Sequence, residues 1–202
     1  MTFPNPKNEK SRALIVFILC VLFLAIAFKV SGQVYTAKDI HLVLNRTDSL
    51  SRLELLTAKK FHKRLNEYRK EKGACELRWS DTLYIMAMNH NTWMSYNKTL
   101  LTHYETTNTA HFTGDAPKDR LDYVLETKTF GTSENCAWVG WTTGAIEKMA
   151  EDASLTAFNM LKDDKPHCAI MINNNNKVHG VHISYKGGYC TSEFYGMRLL
   201  KN

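Results

Sequence analysis

The most apolar stretch of the chain lies near its start, where Ala13–Phe28 is an unbroken run of sixteen apolar residues. Beyond Gly32 the pattern changes to amphipathic periodicity. Leu55, Ala58, Phe61, Leu65 and Tyr68 recur at helical spacing. They predict a helix from the capping box Ser51-Arg52-Leu53-Glu54 to about Lys72, ended by Gly73. Ser80 caps a second predicted helix to about Tyr96, with Leu83, Met86, Ala87, His90, Trp93 and Met94 along one face. Pro117 stands at the first turn of a short third helix. A fourth runs from about Gly144 to Lys162, Pro166 breaks it, and a last turn of helix follows through about Ile172. Alternation of the strand type is rarer. Val178–Tyr185 and Tyr189–Tyr195 flank Lys186-Gly187-Gly188 and read as a hairpin. Its Val181, Ile183 and Tyr185 form an apolar face opposite His182 and Ser184, and Thr129–Val139 supplies a third strand. Helices around a small, mainly antiparallel sheet make an α+β fold. Residues 51–202 read as one domain, and residues 33–50 as a loosely structured lead-in.

The apolar run follows Lys7, Lys10 and Arg12, so residues 1–32 read as a signal peptide or a signal-anchor. Val30-Ser31-Gly32 offers small residues for cleavage. The alternative is a tilted membrane anchor through residues 13–30, which Lys29 favours. Either way the basic flank stays on the cytoplasmic side and the remainder faces outward, an extracytoplasmic location. The whole chain of 202 residues is 44% hydrophobic and 23% charged, which excludes disordered and collagenous classes. Its net charge of +6 is inflated at the N-terminus, where Lys7, Lys10, Arg12 and Lys29 face only Glu9. No dense basic track remains for a nucleic-acid partner. Cys20 lies within the apolar run. In an oxidising compartment the other four cysteines, Cys75, Cys136, Cys168 and Cys190, suggest two disulfides with three possible connectivities.

Histidine is the informative residue type. Of eight, His41 and His62 read as surface residues, and His90 as a hydrogen-bonded core residue on its apolar stripe. His103 and His167 stand at breaks between elements, and Glu134-Asn135 lies between them in a predicted strand. No HExxH spacing links them.

Several segments together resemble the CAP superfamily of cysteine-rich secretory, antigen 5 and pathogenesis-related proteins, particularly its small exported bacterial members. These are Leu77-Arg78-Trp79-Ser80, Ala87 to His90 and on to Met94, Thr102-His103, and Phe112-Thr113-Gly114 to Asp119-Arg120. Ser133-Glu134-Asn135-Cys136-Ala137, Pro166-His167-Cys168 and Gly180-Val181 with Phe194-Tyr195-Gly196 continue the series in register. The resemblance implies an α-β-α sandwich with a surface cleft. Carried over by position, it implies that His103, His167 and Glu134 line that cleft. Two neutral imidazoles can bind a divalent cation such as zinc with open positions for water, and a glutamate could act as base on that water. The trio could equally form a metal-free polar network. A second glutamate of the family's W-x-x-E segment is absent, Ser133 replaces a usual glycine, and Cys168 replaces a common arginine. If the cleft forms, Cys136 and Cys168 would be neighbours. That implies Cys136–Cys168 and Cys75–Cys190 disulfides, with zinc ligation or a Cys/His nucleophile as alternatives.

The leading expectation is therefore an exported binding or interaction module for an unidentified extracellular ligand or protein. A metal-assisted extracellular hydrolase using Glu134 as base is the alternative, and a scaffold with a vestigial cleft is the third reading.

Overall fold

The computed structural model describes residues 33–129 and 131–196. The apolar run, its flank and Cys20 lie outside these residues. Among those described, no helix is long and apolar enough to cross a membrane.

Helix α1 is the short Ile40–Leu44 segment, preceded by a 3-10 turn at Ala37–Asp39. The lead-in is thus more ordered than its sequence suggests, because Asn89 holds it. The Asn89 side chain accepts from the Tyr35 amide at 3.0 Å and donates to the Tyr35 carbonyl at 2.7 Å. Helix α2 spans Ser49–Glu71. Its cap is Asp48 rather than Ser51: the Asp48 carboxylate accepts from the Ser51 amide, so Ser51 already lies inside the first turn. Strand β1 is Arg78–Trp79, and helix α3 is Asp81–Asn97 with Ser80 accepting from the Leu83 amide, as the sequence predicts. Helix α4 spans Pro117–Leu125 and strand β2 Ser133–Trp138, shorter at both ends than expected. Helices α5, Ile146–Asp163, and α6, Lys165–Met171, meet at Asp164, and Pro166 stands in the first turn of α6. The hairpin is β3, Val178–Ser184, and β4, Tyr189–Tyr195.

The strands form one sheet in the order β1-β3-β4-β2. β1 runs parallel to β3, and the remaining pairs are antiparallel. Helix α3 covers β3 and β4 on one face, with α4 beside it. Helix α2, backed by α5, covers β3 on the other, and α5 and α6 also reach β2. The architecture is an α-β-α sandwich. β3 therefore has no solvent face, and every one of its residues is buried. The expected polar face is instead satisfied internally. His179 lies against Phe61 and His62 of α2, and His182 against Tyr84 and Asn91 of α3. The α3 layer sits so close to the sheet that a Cβ at Gly180 would fall 2.3 Å from the Tyr84 amide nitrogen.

His62 is accordingly not a surface residue. Its Nδ1 lies 2.9 Å from Nδ1 of His179, whose Nε2 bonds Ser192 at 2.8 Å. Burial, with the nearby Lys59 charge adding to it, pulls His62 down to about 4. Burial holds His179 well below the ordinary histidine range.

The four cysteines of the described residues are free thiols, so the two expected disulfides are not formed. Strand geometry supplies the reason, since successive residues of β2 point to opposite faces. The Cys136 sulfur faces Thr191, which bonds Asn91 of α3. Cys168 sits on α6, behind the other face, and its sulfur is 3.3 Å from the Tyr68 hydroxyl. Cys190 is enclosed in the main core, whereas Cys75 is exposed.

Candidate functional site

Between α3, the 98–116 loop, α4 and the sheet lies a buried polar cluster around one cation. Arg120, from α4, has a fully buried side chain. Its guanidinium donates to Glu134 Oε2 of β2 and, at 2.9 Å, to the His103 carbonyl. Its Nε stands 3.9 Å from Glu105. Gly114 permits this packing, because a Cβ there would lie 2.5 Å from the Arg120 amide nitrogen. Glu105 ties its own loop to α3. It accepts from the Thr113 amide at 2.6 Å, and its Oε1 lies 3.0 Å from Nδ1 of His90. His90 Nε2 donates to the Thr102 carbonyl at 2.8 Å, so His90 is the hydrogen-bonded core residue that its position on the stripe suggests.

Three carboxylates, Glu105, Glu134 and Glu193, thus share the neighbourhood of Arg120. Glu134 and Glu193 are paired residues on β2 and β4 and sit side by side. Apart from that approach, neither Glu193 oxygen has a hydrogen-bond partner among the described residues. Burial disfavours both charges, and one ionises at the other's expense. For Glu134, the Arg120 charge and the His103 bond overcome burial and hold its carboxyl far below the carboxylate range. For Glu193, burial and the adjacent Glu134 charge act together and push it well above that range. Burial, reinforced by the same carboxylates, pushes the Cys136 thiol up.

His103 is the exposed member, with 43% of its side chain open to solvent and Nδ1 2.8 Å from Glu134 Oε1. Because the carboxylate can only accept, Nδ1 carries the proton, and Nε2 has no hydrogen-bond partner among the described residues. This is the carboxylate–histidine arrangement that orients metal-binding imidazoles. His167 Nδ1 lies 3.1 Å from Oδ1 of Asp164, whose carboxylate accepts from the His167 backbone amide as the cap of α6. Successive side chains of β2 serve the two histidines differently. Glu134 points to the α3 and α4 face, whereas the next residue, Asn135, donates to the His167 carbonyl at 3.0 Å. The structure therefore joins His103 to Glu134 and turns the His167 ring to Asp164.

Among the described residues, the group whose donor atoms all lie within 4.8 Å of one another is His90, Glu134 and Cys136. It does not fit a resident metal ion. Both His90 nitrogens face acceptors, both Glu134 oxygens are engaged, and the thiol resists deprotonation. A cation there would have to displace the network that fills the space.

Sequence reasoning missed Arg120, Glu105 and Glu193 as members of the cluster. Asp119-Arg120 was visible as part of a motif, and Glu105 two residues after His103, but neither spacing carries a chemical signature. Glu193 had no signal, since a lone glutamate in an alternating strand reads as solvent-facing.

Residues 62–196 match the sequence profile of the cysteine-rich secretory protein family, CAP. No curated protein sequence is significantly similar. Among solved structures, an extracellular protein containing an SCP domain from Bacillus anthracis str. Ames superposes with a TM-score of 0.60 at 17% identity. That alignment covers 75% of this chain and 44% of that one, so the present chain matches less than half of that protein's length. An outer surface protein from Borrelia burgdorferi superposes with a TM-score of 0.51 at 19% identity, covering 67% of this chain and 89% of that one. At these identities the likeness is one of fold.

Proposed function

From the premise that this chain belongs to the cysteine-rich secretory protein (CAP) family, we propose that it is an extracytoplasmic binding module that offers His103 to a divalent cation or small ligand. The carrying observation is the Glu134–His103 pair, which fixes the imidazole by Nδ1 and leaves Nε2 without a hydrogen-bond partner among the described residues. An extracytoplasmic location agrees with the apolar N-terminal run, and with the extracellular and outer-surface proteins that share the fold. His167, whose Nδ1 lies 3.1 Å from Asp164, is a second imidazole suited to a cation such as zinc. The hydrolase alternative fares worse. A general base needs a free lone pair and a pKa near the working pH. Glu134 falls short of both, since its side chain is buried, engaged by His103 and Arg120, and held strongly acidic.

The test is calorimetric titration of the full-length protein with zinc, in parallel with His103→Ala and His167→Ala. The expected outcome is saturable uptake that falls at least about tenfold in affinity in His103→Ala, about 1.4 kcal/mol. Uptake that is absent, or unchanged by His103→Ala, would overturn the assignment. Peptide or envelope-polymer turnover abolished in a folded Glu134→Gln variant would restore the hydrolase.

A further inference from the structure

The 98–116 loop and Trp93 of α3 border an open cleft of about 570 Å³, whose lining includes Leu100, Tyr104, Glu105 and Asp115 but not His103. That volume lies within the ~300–1,000 Å³ of small-molecule sites. Four features of the lining define what it would hold. First, it contains no lysine, arginine or histidine, so nothing in it neutralises a phosphate or carboxylate. Second, four threonines line it, and Thr99 Oγ1 is a buried atom with no hydrogen-bond partner. Third, Tyr104 and Leu100 are 63% and 77% exposed, a large apolar surface left open at the mouth. Fourth, its two carboxylates differ. Glu105 is engaged by His90 and Thr113, whereas exposed Asp115 has no ion pair among the described residues.

We infer that this cleft is a saccharide site, taking a neutral di- or trisaccharide segment of a glycan. Hydroxyls that both donate and accept match sugar hydroxyls, a lone carboxylate accepts from a vicinal pair of them, and the Tyr104 ring offers a face to the apolar side of a pyranose. A basic peptide side chain fits less well, because only one of the two carboxylates is unpaired. The site is separate from the His103 imidazole, so it does not depend on cation binding.

The experiment is saturation-transfer NMR on the full-length protein in a non-glycosidic detergent. The probes are N,N′-diacetylchitobiose, maltose and lactose, with glucose 6-phosphate and a hexalysine peptide as counter-probes. The expected result is saturable transfer from at least one neutral disaccharide and none from glucose 6-phosphate. Tyr104→Ala should weaken it about tenfold, and Asp115→Asn should weaken it measurably. Saturating zinc should leave it unchanged, which separates this site from the cation site. Both cleft residues are exposed, so neither substitution endangers the fold. No transfer from any of the three sugars, transfer unaltered in Tyr104→Ala, or binding of hexalysine in their place would each overturn the assignment.

Discussion

The stacked pair His62–His179 shows how a single residue's surroundings decide its chemistry. Both rings are packed between α2 and β3, with His62 also edge-on to Trp79, beneath the Lys59 ammonium. A proton added there meets burial and a neighbouring positive charge. The folded protein therefore takes up the His62 proton only near pH 4, while the unfolded chain takes it up near 6.5. Between those values the unfolded state binds more protons, so acidification favours unfolding. The pair's contribution is intact above about pH 6.5 and is lost as pH falls towards 4. Urea midpoints at pH 7 and 4.5 should show this fall. Replacing His62 with phenylalanine should lessen it, and an equally steep fall in that variant would remove His62 as a cause. Glu193 cannot imitate the effect. Its raised pKa makes it a liability as pH rises above the ordinary glutamate range, the opposite slope. None of this was legible beforehand. His62 lies one residue from the apolar stripe of α2, and sequence spacing does not reveal that β3 presents a histidine directly opposite.

At the scale of elements the sequence was far more readable, because caps and breakers act locally. Ser80, Pro117 and Pro166 stand where the helices they mark begin. The capping-box reading at Ser51 failed for an equally local reason, since Asp48 three residues earlier reaches the same backbone amide. Long-range partners account for the other departures. The lead-in is ordered by Asn89, and the β3 faces are settled by two helical layers rather than by alternation with solvent. The close approach of α3 to β3 yields a sharp expectation. Gly180→Ala places a methyl group inside the Leu83–Tyr84 backbone, and overpacking of this kind costs about 1–3 kcal/mol. Thermal unfolding should record a lower Tm, and an unchanged Tm would mean that the helix can lift off the sheet freely.

For the whole molecule, the resemblance of several weak motifs in register identified the α-β-α sandwich that the structure displays. It was less informative about the partners of each side chain. His103 meets Glu134, while the next residue, Asn135, turns to the His167 carbonyl on the other face, and motif order along a chain does not encode that alternation. The same alternation separates Cys136 from Cys168. Alkylation under denaturing, non-reducing conditions should therefore modify all four thiols of the described residues. In the native protein Cys75 should react first, with Cys136 and Cys190 protected by burial. Mass spectra showing a Cys136–Cys168 link would contradict this arrangement.

The pleat of β2 also sets a parity rule for the chain. Glu134 and Asn135 serve two different helical layers only because each occupies its own place in an odd–even count. One residue gained or lost within Ser133–Trp138 would exchange them, leaving Arg120 opposite an amide and driving a carboxylate into the layer of α5 and α6. Length changes in this protein are thus confined to the connections on either side of that strand, where a slip in the count can be absorbed before the register begins.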